Sequence, residues 1–311
     1  MSAVPDWLET FWHHAQTNDH VCGHQPSTKA TLVRIAEYCL MKKHLITSVS
    51  LLTLALSSHA HANDSLIEQV MLREGMGHTA EVDQTQGRGG NSVVDQRGRS
   101  NLARVTQSDS VVTTTPVVND AKITQRGRLA RGVIEQTATG TTAVQKNTAT
   151  ITQYSVMPVN PNTGFAVSAR IEQNGKRHVS TITQGSAGEK VSKVRAKNIQ
   201  KGVRNTSQIT QLGETMTAIV EQSGKRGKSS VTQDGMNQYA QLTDTGMFNK
   251  SSITQGGHSQ KAFVVQGASG NTSRIGQKGS SHTAMVFQTA SAGNLSIIRQ
   301  RGTNNTATVR Q

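Results

Sequence analysis

Gln300-Arg301-Gly302-Thr303-Asn304-Asn305-Thr306-Ala307-Thr308-Val309-Arg310-Gln311 decides the fold, because it repeats a stretch far upstream: Gln96-Arg97-Gly98-Arg99-Ser100-Asn101-Leu102-Ala103-Arg104-Val105-Thr106-Gln107. Both follow Gln-x-Gly-x-x-Asn-x-Ala/Ser-x-Ile/Val-x-Gln. Between them Gln200, Gln211, Gln222, Gln233, Gln255, Gln266, Gln277 and Gln288 keep an eleven-residue phase, with Asp244 standing where one more Gln is due. Gln300 follows Gln288 after twelve residues and Gln311 follows after eleven more, so the consensus runs to the last residue without a polar cap.

Within a unit, Asn, Ala/Ser, Ile/Val and Gln occupy alternate positions. Side chains alternate faces along a strand, so these four share one face. The other face carries variable residues, such as Lys250, Ser252 and Thr254. Gly and its neighbours supply the turn, since Gly reaches positive φ without steric cost. No proline follows Pro161, as continuous strand pairing requires. Inward Gln and Asn make a poor core for an isolated sheet. In a stack, equivalent amides lie about 4.8 Å apart and bond up and down the column. The predicted fold is an all-β, cross-β solenoid with two strands per 22-residue coil and a thin dry centre of Ala/Ser and Ile/Val. The columns expected to hold it are Gln96, Asn101 and Gln107 in an irregular half, 84–199. In a regular half, 200–311, they are Gln200, Asn205, Gln211, Gln222, Gln233, Asn249, Gln255, Gln266, Asn271, Gln277, Gln288, Asn294, Gln300, Asn305 and Gln311. The regular half predicts ten units, hence five coils. His178, Met216, Gly227, Gln238, Gln260 and His282 replace Asn, and interrupted ladders are expected in those layers. Longer gaps in 107–199, with Pro116, Pro158 and Pro161, read as loops inserted at turns on one face.

Length suggests about two domains of roughly 150 residues, but composition argues against two ordinary ones. The 311 residues are 34% hydrophobic and 3% aromatic, against about 45–50% apolar in a typical globular chain. That is too little to fill the thick core of a large α/β enzyme. At 17% charged residues and five prolines, plain disorder fits no better.

Residues 41–62 have a basic start (Met41-Lys42-Lys43), a short apolar run (Leu45 to Leu56) and Ala60-His61-Ala62, the layout of a secretory signal peptide cleaved after Ala62. Residues 1–40 then read as an over-extended frame. Residues 63–83 lack the repeat and read as a flexible leader. His13, His14, His20, Cys22 and His24 have zinc-like residue types without a four-ligand spacing. Both cysteines precede residue 63, so an exported chain would hold no disulfide. Residues 63–311 carry 29 Lys and Arg against 15 Asp and Glu, a net +14.

The signal peptide, polar leader and tandem units resemble the curlin repeat of curli subunits, over about residues 84–311. The resemblance implies a β-solenoid stacking end to end into extracellular functional-amyloid fibres for cell adhesion and biofilm matrix. It further implies fellow curlin-repeat subunits as partners and an outer-membrane secretion channel that reads the leader. The family has a major fibre subunit and a more basic, surface-attached nucleator. The basic charge here leans toward the second.

The physics expected is assembly. One coil has too few apolar atoms to offset a backbone ordering cost of about 1–2 kcal/mol per residue, so coils must stack, each edge templating the next. The densest cations (Arg97, Arg99, Arg104, Arg126, Arg128, Arg131) keep chains soluble. Their sharper reading is an anionic polymer: lipopolysaccharide, extracellular DNA or an acidic exopolysaccharide. The stacking aromatics of a single-strand binder are nearly absent, so no specific nucleic-acid target is expected. No nucleophile elbow, P-loop or H-E-x-x-H occurs after residue 62, and His78, His178, His258 and His282 are isolated; no catalysis, cofactor or metal is expected. The competing class is a capped monomeric β-solenoid acting as an adhesin or an ice- or polysaccharide-binding surface, with outward Thr124, Thr152, Thr183, Thr210, Thr232 and Thr254 lining a flat face.

Overall fold

A computed structural model describes residues 33–34, 64–71, 77–85, 90–109, 119–139, 146–155, 167–186 and 191–311. Among them there is no helix, and the strands form two parallel sheets stacked as a β-solenoid of about nine turns. The first sheet runs β1 (Val33–Arg34), β2 (Asp64–Met71), β4 (Asn91–Arg99), β6 (Asp120–Arg128), β8 (Thr148–Ser155), β10 (Val179–Gln184), β12 (Thr206–Glu214), β14 (Lys228–Met236), β16 (Lys250–His258), β18 (Thr272–Ser280) and β20 (Leu295–Thr303). The second runs β3 (Thr79–Thr85), β5 (Leu102–Asp109), β7 (Ala130–Ala138), β9 (Val167–Lys176), β11 (Val194–Val203), β13 (Thr217–Gln222), β15 (Tyr239–Asp244), β17 (Lys261–Gln266), β19 (Thr283–Gln288) and β21 (Thr306–Arg310). From β2 onward successive strands alternate sheets, so each coil is one strand from each.

Register follows the sequence phase. Ile209, Val231, Ile253 and Ile275 pair in succession down the first sheet at 22-residue intervals. The twelve-residue interval after Gln288 appears as a 23-residue step, Ile275 to Ile298. β12 to β21 are the ten strands of the regular half. The core is one long seam. Ile123, Ile151, Ile182 and Ile209 from the first sheet meet Val105, Ile134, Ile171 and Val220 from the second, all fully buried. Ala169, Ala218, Ala240, Ala262 and Ala284 keep the sheets close. At about 1.5–3 kcal/mol per buried Val or Ile, one layer is weak and the stack is the stable unit.

Turns from the first sheet to the second are compact after β4, β6, β12, β14, β16, β18 and β20. Gly235 has φ +133, and a Cβ there would lie 2.0 Å from the Gly257 carbonyl oxygen of the next layer. Two residues on, Asn237 is left-handed at φ 56, and the same pair recurs as Gly98 with Ser100 and Gly302 with Asn304.

Several expectations are corrected. Residues 63–83 are not pattern-free. β2 and β3 pair in register with β4 and β5, because Ser65-x-Ile67-x-Gln69 and Ala80-x-Val82-x-Gln84 are repeat units with longer connections. Nor do the irregular gaps share one face. Those after β5 and β7 lead from the second sheet to the first, and those after β8 and β10 lead the other way, so both edges carry them. Val33–Arg34, within the segment expected upstream of the start, pairs with Ile67 and Glu68 of β2. The signal peptide with its cleavage after Ala62, the rest of 1–40, the His/Cys cluster and Pro116, Pro158 and Pro161 lie outside the described residues.

Candidate functional site: two columns of glutamine

In the first sheet every layer from β2 to β20 places a Gln at the same inward position. Nε2 of each donates to Oε1 of the next: Gln69 to Gln96, Gln96 to Gln125, Gln125 to Gln153, Gln153 to Gln184, Gln184 to Gln211, Gln211 to Gln233, Gln233 to Gln255, Gln255 to Gln277 and Gln277 to Gln300, all at 2.8–2.9 Å. The second amide hydrogen crosses the core. Gln211, Gln233, Gln255 and Gln277 donate to the backbone carbonyls of Arg195, Thr217, Tyr239 and Lys261, which lie near the starts of second-sheet strands. Each amide thus spends one N–H along the stack and one across it. These glutamines are buried, so an unmade bond would be expensive.

The second column runs Gln84, Gln107, Gln136, Gln173, Gln200 and Gln222 at 2.7–3.0 Å, then resumes from Gln266 to Gln288 to Gln311 at 2.9 Å. Asp244 interrupts it. Gln222 Nε2 turns aside to Ser229 Oγ at 2.9 Å. Asp244 Oδ1 accepts from Asn249 Nδ2 at 2.6 Å and from the Gly246 N–H at 3.2 Å, while Oδ2 has no partner. Burial pushes this carboxyl up from 3.8 to about 6, against the bonds from Asn249 and Gly246 that favour its ionised form.

Asn101, Asn205, Asn249 and Asn271 are buried as expected, with Asn294 half-buried and Asn305 of the last layer exposed, but none forms an amide-to-amide ladder. Asn205 Oδ1 accepts the Gly227 N–H of the next layer at 2.9 Å. Its Nδ2 donates to the carbonyls of Lys201 at 2.8 Å and Gly224 at 3.0 Å. Asn101 does the same with the Ala130 N–H and with the carbonyls of Arg97 and Gly127. Asn249 and Asn271 accept from the backbone of Asn271 and Asn294 in turn. Asn294 and Asn305 donate to carbonyls of their own turns, Ser291 and Arg301. Each Asn therefore staples a turn, satisfying backbone groups that the left-handed residue leaves out of the ladder.

The replaced positions interrupt less than expected. Gln238 and Gln260 still donate to the carbonyl four residues back, Asp234 and Gly256, leaving only their Oε1 atoms unpaired. His178 and His282 bond the carbonyls of Asn174 and Lys278 in the same way. Met216 instead fills a side cluster with Val167, Val191 and Val194. The first-sheet Gln column passes all these layers intact. Burial lowers the His178 imidazole from 6.5 to about 4, opposed by the Asn174 and Gly202 carbonyls.

Sequence reasoning left Gln69, Gln84, Gln125, Gln136, Gln153, Gln173 and Gln184 out of the ladder, although Ser/Ala-x-Ile/Val-x-Gln marks most of them. It also missed the cross-core serines. Ser229 and Ser296 accept from Gln222 and Gln288, and Ser251 donates to Gln266.

Outside, the second sheet carries ion pairs on its first layers: Arg104 with Glu81 at 2.8 Å, Arg170 with Glu135 at 3.0 Å, Lys197 with Glu221 at 3.8 Å. The Arg104 hydrogen bond lowers the Glu81 carboxyl. Of the six arginines expected as the densest group, Arg97 stacks beside Arg126 and Arg99 beside Arg128 on the first sheet, while Arg104 and Arg131 lie on the second beside Val133 and Leu102. Thr124, Thr152, Thr183, Thr210, Thr232 and Thr254 form an unbroken in-register row on the first sheet. No group of three metal-ligating residues occurs among the described residues.

The fold and its columns define a class: a two-sheet parallel β-solenoid tied by buried glutamine amides. The chain matches no family model and no curated protein.

Proposed function

We propose that this chain is a secreted structural subunit of extracellular, curli-like functional-amyloid fibres, assembling by templated stacking of coil on coil. The observation that carries the reading is the sameness of successive layers. The Gln-to-Gln bond recurs nine times within one column, with backbone pairing in unbroken register. A contact that joins any layer to the next within a chain is equally suited to join two chains. Export through an outer-membrane channel, co-assembly with related subunits and a part in adhesion and biofilm matrix belong to the same reading, as does binding of anionic polymers by the stacked arginines. The test is the purified chain cleaved after Ala62. It should yield thioflavin-positive fibres with a meridional reflection near 4.8 Å. Replacing Gln300, Asn305 and Gln311 with Ala should lengthen the lag and cut the yield. Persistent monodisperse protein, or an unchanged lag in the triple variant, sinks the proposal.

The row of six threonines favours a second reading, a monomeric solenoid that displays a flat hydroxyl face as an adhesin or an ice- or polysaccharide-binding surface. Monodisperse protein that loses surface binding when Thr183 and Thr210 become Lys would select it.

A further inference from the structure

The outer face of the second sheet changes character halfway along. Its first layers carry Glu81, Arg104, Glu135, Arg170, Glu172 and Lys197, with Val133 and Ile199 the apolar members of the same columns. In β17 and β19 the corresponding columns turn apolar, with Ile219 of β13 the one apolar residue before them in that half. One column reads Glu221, Thr243, Val265, Phe287 and Arg310, paired layer by layer. Its neighbour reads Ile219, Gln241, Phe263, Met285 and Thr308 in the same layers. Tyr239 stands beside them with its ring 5.4 Å from that of Phe263. Three of the five aromatic residues in the described segments are here, all only half-buried. In a chain so poor in aromatics, such concentration on one solvent-facing strip marks a contact surface.

The charges select the occupant. Glu221 lies two layers before Val265 and Arg310 two layers after it, in one column. A two-fold axis along the β17 strand direction, in the plane of contact, sets the face of one copy against the same face of another with their solenoid axes opposed. Glu221 of each copy then meets Arg310 of the other, Val265 meets Val265, and Phe263 meets Phe263. The charges and the central row are self-complementary, as an isologous contact requires, while the same axis sets Phe287 against Thr243 and Met285 against Gln241. The opposition of two exposed Lys261 side chains at the rim works against it.

Size decides when the contact forms. Four interlayer steps of about 4.8 Å and two steps of about 6.6 Å outline roughly 250 Å² per copy. Both sides together bury roughly 500 Å², under the ~1,200 Å² of a stable pair. Free chains do not hold one another by this patch, but stacked chains present it once per subunit and bind by avidity. We therefore propose that the strip Ile219–Phe263–Val265–Met285–Phe287, bracketed by Glu221 and Arg310, bundles fibres of this chain laterally in antiparallel pairs. This rests on the fibre reading above.

The test compares fibres of the wild-type protein with those of Val265→Glu, Glu221→Arg and the double variant Glu221→Arg/Arg310→Glu. Thioflavin yield and the 4.8 Å reflection report stacking; low-speed sedimentation and filament width in electron micrographs report bundling. Val265→Glu and Glu221→Arg should keep fibre yield within about twofold while the bundled fraction falls by more than about tenfold, and the charge-swapped double variant should restore bundling. Equal bundling by Val265→Glu, or no recovery in the double variant, overturns the inference. Wild-type fibres that stay single overturn it and leave the stacking reading intact, whereas failure to form fibres at all overturns both.

Discussion

Asp244→Gln should close the gap in the second column, and the gain should depend on pH. The folded carboxyl titrates near 6 against 3.8 for the free group. A raised value means that the fold disfavours the charged form. The penalty is absent below 3.8, grows through the interval and is complete above about 6. A shift of about two units is worth roughly 3 kcal/mol at neutral pH. Glutamine removes that charge and offers an amide to Gln222 above and Gln266 below, bonds worth about 1 kcal/mol each. The variant should therefore gain roughly 3–5 kcal/mol locally at pH 7 and only about 1–2 kcal/mol at pH 4. Solenoid layers open semi-independently, so the assay is native-state hydrogen exchange of the β15 and β17 amides, each variant compared with wild type at the same pH. Protection should rise by about two to four decades at pH 7 and by about one at pH 4. An equal gain at both values would refute burial of a charged Asp244 as the cause.

His178 should act in the opposite sense. Its folded value is depressed from 6.5 to about 4, so its contribution is present above 6.5 and is lost as pH falls toward 4. The loss is about 3 kcal/mol. NMR titration should find the imidazole still neutral at pH 5, and His178→Asn should remove that part of the acid sensitivity. Gly235→Ala places a methyl 2.0 Å from the Gly257 oxygen at φ +133, so strain alone should cost more than about 1–3 kcal/mol; a melting temperature within a degree of wild type would contradict the close stacking. Asn205→Ala takes its bonds from the Gly227 N–H and the Lys201 carbonyl, while the Gly224 carbonyl keeps the Val203 N–H, at about 1–3 kcal/mol per buried group left unpaired. Asn205→Gln should recover part of this in urea unfolding, because Gln238 and Gln260 keep the same carbonyl bonds.

What was legible and what was not divide along one physical line. Periodicity reports which face a residue takes, and that was enough for the two sheets, the 22-residue register and the Gln columns, since an inward amide in mid-strand meets its own kind one layer away. The leader was misread because β2 and β3 are joined by longer connections, which break the eleven-residue count without disturbing Ser65-x-Ile67-x-Gln69. The asparagines share the inward face yet bond differently, for a reason that periodicity does not carry. Asn205 directly follows Arg204, held at φ 58, where the chain leaves one sheet and the ladder has unpaired N–H and C=O groups. An amide there bonds backbone even where the next layer holds another Asn, as Asn249 accepts from the Asn271 N–H, and burial makes pairing with that backbone the stronger demand. The same argument explains why His and Gln substitute for Asn without breaking the stack. The site asks for a donor aimed at a carbonyl four residues back, whereas mid-column it asks for donor and acceptor together, which Asp244 cannot supply once ionised.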